Sequence, residues 1–443
     1  MNTPVIASLT RTTPVIASLT RTTPVIAGLT RNPMKILLLS LVITIAATVS
    51  LQAQPLRTES FSERVQTLRV FPEHQWKLAP IIDFNQNRAI AISFDVLGVE
   101  TGHYTYKIWH CNADWTRSKL DEHEYLNGLQ NNPLTDYDNS LNTTMEYVHY
   151  ELRIPNERVR LKLSGNYAVQ VFEDGNERPM LNACFSVVEP LANVQISVSP
   201  VTDKGANTHF QAVDFVVSYG SAVQNPNTDL KVYVLQNHRY DNAAQLVKPR
   251  LVQTGKAEYS HNPALIFDAG NEYRRFEMTT AQFPGLNIAA IEYHEPYYHT
   301  ILRPYKFRSN EPYSYSEDLN GKVYIRNTEA DNSDYEADYH LVHFSLAGQP
   351  LNEKVYILSE AFNNIFDYRS EMTYERNSYV KTALLKEGYY NYLYVTQNKP
   401  NTPAKTAPIE GDFYQTKNEY RVMVYARTFG KRYDQLIGVQ TIN

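Results

Sequence analysis

His103–Cys111, HYTYKIWHC, running on into Asn112-Ala113-Asp114-Trp115, reads as one strand that ends in a knot of polar and aromatic side chains. Tyr104, Tyr106 and Ile108 fall on one face, and Thr105, Lys107 and Trp109 on the other, which is the period-2 pattern of a half-buried strand. The knot packs two Trp, a His, a Cys and an Asp between Trp109 and Trp115, so a metal or catalytic site is the first question. Zinc needs several Cys or His at characteristic spacings, and the adjacent pair His110-Cys111 has no CxxC or HxxxH companion. A Cys-His nucleophile pair must meet side by side, whereas neighbours on a strand point to opposite faces. The reading left is structural: Asp114 ties down a turn and the two indoles fill a core edge.

The same alternation continues on both sides. Ile90, Ile92, Phe94 and Val96 alternate with Ala89, Ala91, Ser93 and Asp95, and Tyr167, Val169 and Val171 repeat the pattern, each predicting a half-buried antiparallel strand. The polar run Leu126–Asn142, rich in Asn and Asp, is expected to be a long loop. A pause at Val188-Glu189-Pro190 precedes Val194, Ile196 and Val198, then Leu230, Val232 and Val234. A second pause at Arg308–Pro312 precedes alternation at Val323 and Ile325, Val342 to Leu346, Leu393 and Val395, and Val422 and Val424. No stretch of twelve residues holds a clean helical period with caps. The expected fold is all-β, with tandem immunoglobulin-like or fibronectin-like sandwiches at 54–190, 191–310 and 311–443.

The N-terminal end is of another kind. TPVIASLTR at Thr3–Arg11 and Thr13–Arg21 and TPVIAGLTR at Thr23–Arg31 repeat almost without divergence, too short a unit to stack a core. Residues 1–33 look like translated repetitive DNA ahead of a true start at Met34. Lys35, the apolar run Ile36–Val49 and Ser50-Leu51-Gln52-Ala53 then fit a signal peptide at 34–53, cleaved between Ala53 and Gln54. The run is about 14 residues, short of the ~20 that span a bilayer. No Cys follows it to carry a lipid anchor, and no later segment is long enough to cross a membrane. Without residues 1–53 the chain has 38 basic against 47 acidic residues, a net of −9, which disfavours nucleic acid as a partner.

An exported chain with only Cys111 and Cys184 raises the question of a single disulfide, closing a loop of about 73 residues. Glu329, Asp331, Asp334, Glu336 and Asp338 form an acidic run; Asp331 and Asp334 are the candidate calcium ligands, although the spacing departs from the EF-hand and lacks its glycine. A solvated hairpin loop is the competing reading. Glu292 and Glu295 offer carboxylates near one strand end, but sequence spacing does not fix their separation. No nucleophile elbow, P-loop or dinucleotide fingerprint appears. No cofactor is called for, and a non-enzymatic binding or assembly role is expected.

Tyrosine is the compositional outlier, 33 of 443 residues, and concentrates in strands such as Tyr389–Tyr394. Aromatic side chains with a polar tip suit half-exposed sheet faces and interfaces.

The run YTYKIWHCNADW, with Phe71–Gly98, GNYAVQVFEDG at 165–175 and EGDFYQTKNEYRVMVYARTFGKRYDQLIG near the end, resembles the plug proteins of the Bacteroidetes type IX secretion system, formerly a domain of unknown function. Trp76, Tyr106, Trp109, His110, Asp114 and Trp115 are the signature positions. The resemblance implies a periplasmic protein that associates with the outer membrane by binding the very large translocon barrel and keeps its periplasmic opening sealed. The alternative is a carbohydrate-binding sandwich of a polysaccharide-uptake system, which needs a planar row of exposed Trp or Tyr; Trp76, Trp109 and Trp115 are the only Trp available.

Overall fold

A computed structural model describes residues 55–443; the decamer repeats, the signal peptide and the Ala53–Gln54 cleavage site lie outside the described residues. Tyr104–Cys111 is a strand along its whole length, with Tyr104, Tyr106, Ile108 and His110 facing inward, as the alternation requires. It pairs antiparallel with Gly165–Glu173, Ile108 opposite Val169 and Tyr106 opposite Val171, and that strand pairs in turn with Leu181–Val188. The second sheet of this sandwich is built from Val65–Pro72, Ile90–Leu97, Tyr147–Ile154 and Tyr137–Asn139. Phe94, Ile92, Tyr106, Tyr167, Val169 and Phe185 meet between the sheets, each such side chain contributing ~1.5–3 kcal/mol on burial.

The chain is all β: the helices among the described residues are single turns, such as Glu122–Tyr125, and none is long and apolar enough to cross a membrane. Three sandwich cores are present, but they are not laid end to end. Asn193–Ser199, Phe210–Ser218 and Lys256–Tyr259 form one sheet of the second sandwich, whose other sheet joins Leu230–Gln236 to Tyr420–Ala426 and Gln435–Ile442 from the end of the chain. Val232 lies opposite Val424 and Val234 opposite Val422, and these residues share a core with Val213, Phe215 and Tyr259.

The third sandwich is inserted between those strands. One of its sheets holds Arg274–Met278, Gly388–Gln397 and Val323–Ile325; the other runs Ile288–His294, Tyr297–Leu302, Tyr339–Ala347, Ser378–Lys386. The boundaries expected at 191–310 and 311–443 are therefore corrected: the strands within 274–302 belong to the third sandwich, and the last strands return to the second. Period-2 alternation reports that a segment is a strand, not which strand it pairs with.

Two local expectations also change. Ile90–Leu97 is buried on both faces except at its last residue, because its outer face at Asp95 is covered by the third sandwich. The polar run Leu126–Asn142 is stapled by short backbone pairings: Leu126–Gly128 to Val159–Leu161, Asn132–Pro133 to Thr105 and Tyr106, and Tyr137–Asn139 to Tyr150, His149 and Val148. Backbone hydrogen bonds make these links, so side-chain polarity does not reveal them.

Candidate functional site

The polar-aromatic knot is the place where the first sandwich meets the second. Asp114 accepts hydrogen bonds from the backbone N and hydroxyl of Thr116, at 3.0 and 2.6 Å, which closes the expected turn. Trp115 then adopts a left-handed φ of 63° and sets its ring edge-on to Tyr240 of the second sandwich. Trp109 lies on the outer face, its Nε1 donating to Gln170 Oε1 and its ring covered by the Arg117 guanidinium at 3.8 Å. His110 turns inward against Tyr167 and Tyr433, with Nε2 3.2 Å from the Ser164 carbonyl. Burial pushes its imidazole down to about 4 against the pull of Ser164 and Asp434, so it is neutral at neutral pH.

Asp434, fully buried at the C-terminal hairpin, organises this seam. Its carboxylate accepts from the backbone N of Ala113 at 3.0 Å, from Lys231 Nζ at 2.9 Å and from Arg427 Nε at 2.7 Å. Arg427 also donates to Asn112 Oδ1, and Tyr425 Oη to Asn166 Oδ1. Ala113 sits in an apolar cluster with Tyr233, Leu235, Met423, Tyr425 and Leu436. Gly165 is required here: at φ 132° a Cβ would stand 2.6 Å from His110 Nε2 and 3.0 Å from the Asp434 carbonyl.

The seam between the first and third sandwiches centres on Asp95. One carboxylate oxygen accepts from His149 Nδ1 at 2.6 Å; the other accepts from Tyr339 Oη and Lys386 Nζ, each at 2.6 Å. Burial alone would raise this carboxyl, but Lys386 and His149 hold it down at about 2. Lys386 Nζ also donates to the Asp334 carbonyl and lies 4.1 Å over the Tyr147 ring. Asp338 accepts from Thr144 and Met145, and the Trp76 ring stacks on Tyr324 at 4.4 Å.

The second and third sandwiches meet at Ala404, whose backbone carbonyl accepts from Arg239 and whose backbone N donates to Asp241, while Glu410 anchors the returning chain to the third. Glu410 is fully buried, accepts from Arg274 Nε at 3.0 Å, Arg308 Nε at 2.5 Å and the Tyr394 backbone N at 2.8 Å, and lies beside the crossover where the chain leaves the insertion. Burial would raise its carboxyl; Arg308 and Arg274 keep it lowered. A polar cleft of 190 Å³ opens near this crossover, lined by Arg239, Asn237, Asn271 and Tyr273.

Cys111 and Cys184 are free, buried thiols. They lie on the two strands flanking Gly165–Glu173, Cys111 opposite Asn166 and Cys184 opposite Ala168, so two interstrand spacings of ~4.8 Å separate their backbones. That exceeds the ~7 Å limit for bridging, and the candidate disulfide is not formed. Burial pushes the Cys111 thiol up to about 12.

The acidic run is divided among separate tasks rather than gathered on an ion. Asp334 pairs with Arg69 at 3.0 Å, the Glu336 carboxylate accepts from the Asn332 backbone N, and Asp338 serves the seam. No three His, Cys, Asp or Glu converge as metal ligands among the described residues. Glu292 is exposed and engages His294 at 3.0 Å. The three Trp are spread over two seams and one outer face, with no planar row. Eleven of the twelve largest fully buried side chains are tyrosines, so the tyrosine excess is chiefly a core and seam property. Asp95, Lys386, Glu410 and Asp434 were not legible as a group, since they are 24 to 339 residues apart. The one local signal was an Asp within the largely apolar Ile90–Leu97 strand.

Residues 65–189, essentially the first sandwich, match the family model described as Type 9 secretion system plug protein 1st domain. The fold also matches the crystal structure of a hypothetical protein from Parabacteroides merdae ATCC 43184, with 41% sequence identity, a TM-score of 0.86, and coverage of 88% of this chain and 99% of that one. No curated protein matches the chain in sequence. The relative spans all three sandwiches and the domain match spans the one that binds the other two: the chain belongs to the type IX secretion system plug protein family.

Proposed function

We propose that this protein is exported to the periplasm, binds the periplasmic opening of the type IX translocon barrel at the outer membrane, and seals it without catalysing a reaction. Family membership gives the secretion-system association. The observation that supports the sealing role is mechanical: the first sandwich is locked to the second and to the third by the buried acids Asp434 and Asp95, and the second to the third by Arg239 and Asp241 on the Ala404 backbone. A protein that closes a wide opening must resist deformation, and three separately bonded seams make one stiff body out of three small cores. Its action is then steric, binding one state of the pore and shifting its population. The carbohydrate reading has no such support, since Trp76 stacks on Tyr324, Trp109 lies under Arg117 and Trp115 abuts Tyr240.

The test is affinity purification of the tagged protein from outer-membrane extracts, followed by identification of what accompanies it. Recovery of the giant barrel is the expected result. Absence of the barrel, under conditions where its other subunits copurify, would overturn the proposal.

A further inference from the structure

The edge of the six-stranded sheet in the third sandwich carries a row of imidazoles that the seams do not use. Its outermost hairpin is made of Ile288–His294 and Tyr297–Leu302, and only the latter strand joins it to the sheet, by parallel pairing with Tyr339–Ala347. Across that junction His299 Nδ1 and His343 Nε2 stand 2.8 Å apart. The two ring planes differ by 7° and their centroids are 5.1 Å apart. The centroid separation exceeds the nitrogen separation by about one ring's width, so the rings lie end to end, with one proton shared on the axis between them. On the far side, His343 Nδ1 meets the Thr382 hydroxyl at 2.9 Å, a partner that can donate or accept.

This arrangement has a fixed proton capacity. With both imidazoles neutral, one ring donates and the other accepts; with one proton added, the imidazolium donates to its neutral neighbour and the contact strengthens. A second proton puts two N–H groups and two positive charges across 2.8 Å, and the contact must break. The other titratable groups on this face are Glu292, directly opposite His299, and His294, whose ring is 5.1 Å from His299. Glu292 is engaged with His294 at 3.0 Å and draws positive charge toward the hairpin's outer arm, away from the junction. Tyr297 beside His299, and Leu341 and Leu384 beside His343, add no charge.

We propose that the His299–His343 pair is a proton-operated catch on the 288–302 hairpin: it holds the hairpin with zero or one proton and releases it when the second arrives. Release bares the strand edge over His340–His343, while Leu346 and Ala347 stay paired with Tyr305 and Lys306. The catch is independent of the three seams and of the sealing role.

The test is amide hydrogen exchange on the full chain at pH 7.5 and pH 4.5, corrected for intrinsic rates and referenced to Phe210–Ser218 in the second sandwich. Protection of Tyr297–Leu302 should fall by at least about 10-fold at the lower pH relative to that reference. His299→Gln and His343→Gln, whose amides keep one donor and one acceptor at either pH, should abolish the difference. Nitrogen chemical shifts of the two imidazoles give a readout that needs no variant: their titrations should be coupled, in two separated steps. Equal protection at both pH values, a pH effect that survives in both variants, or uncoupled titrations would each overturn the catch.

Discussion

The seam between the first and third sandwiches and the seam between the first and second solve the same problem at different depths. Asp95, Lys386, Tyr339 and His149 are all at least nine-tenths buried, so the charges of the first seam face each other with almost no water. Asp434 is equally buried, but its partners Lys231 and Arg427 keep 30% and 35% of their side chains exposed. The dry seam gains stronger Coulomb attraction and pays a larger desolvation cost for each charge; the wet-rimmed seam gives up some of both. A buried ion set of the first kind is costly to break at any single member. One of the second kind can recruit water when a partner is lost.

The largest effect is therefore expected at Asp95. Asp95→Ala leaves Lys386 charged, buried and without its carboxylate, and should lower global stability by about 3–5 kcal/mol, measured by urea unfolding. Removing both charges, in Asp95→Ala with Lys386→Met, should recover part of that loss. A double variant as unstable as the sum of its two single variants would show that the pair is not coupled and would break the contrast.

Asp434→Ala should cost less, about 2–3 kcal/mol, because Lys231 and Arg427 can turn to solvent while the Ala113 N–H loses its acceptor. It should also loosen the corner at 112–115, seen as faster amide exchange there than in Ile90–Leu97. If Asp434→Ala proves as damaging as Asp95→Ala, the exposure of the partners does not set the cost.

This contrast also marks how far the sequence could be read. The strands were legible because core residues repeat with a period of two, and Tyr104, Tyr106 and Ile108 reported a buried face directly. The nesting was not, because Leu230–Gln236 and Tyr420–Ala426 find each other across some 190 residues by register alone. In the knot at 109–115 Asp114 closes the expected turn; that the turn faces another sandwich depends on Asp434, more than 300 residues away. Cys111 and Cys184 show the same limit: the intervening strand that keeps them apart was a matter of strand order.

Acidity gives a smaller and graded handle on the dry seam. Asp95, held at about 2 in the folded state, contributes stability that is complete above the ordinary Asp range near 4 and is lost as pH falls toward about 2. Glu387, which accepts from the Asp338 backbone N in the same region, has the opposite sign: burial pushes it up to about 7, so its contribution is present below pH ~4 and is lost as pH rises through about 7. The Glu387 share of the thermal stability should thus decline from about pH 5 toward pH 8, opposite in sign to the buried His110 and His340, both held down at about 4. Glu387→Gln should flatten the alkaline side and leave the acid side unchanged. An unaltered alkaline slope in that variant would remove Glu387 as its source.

The smallest effect belongs to the rim of the dry seam, where Trp76 stacks on Tyr324 and Lys77 lies 5.4 Å from the indole. Both rings are only partly buried, so removing either one lets water in rather than leaving a void, and the loss should be close to the worth of the aromatic contact itself. A double-mutant cycle with Trp76→Leu and Tyr324→Leu should give a coupling of about 1 kcal/mol. That is several-fold below the coupling expected for Asp95 with Lys386, although both pairs join the same two sandwiches. If the two cycles gave equal couplings, the seam would be held by its area as a whole, and the buried charges would set only its geometry. A ratio of three or more would instead place the strength of the joint in the few atoms around Asp95, which is what a stiff seal built from small cores requires.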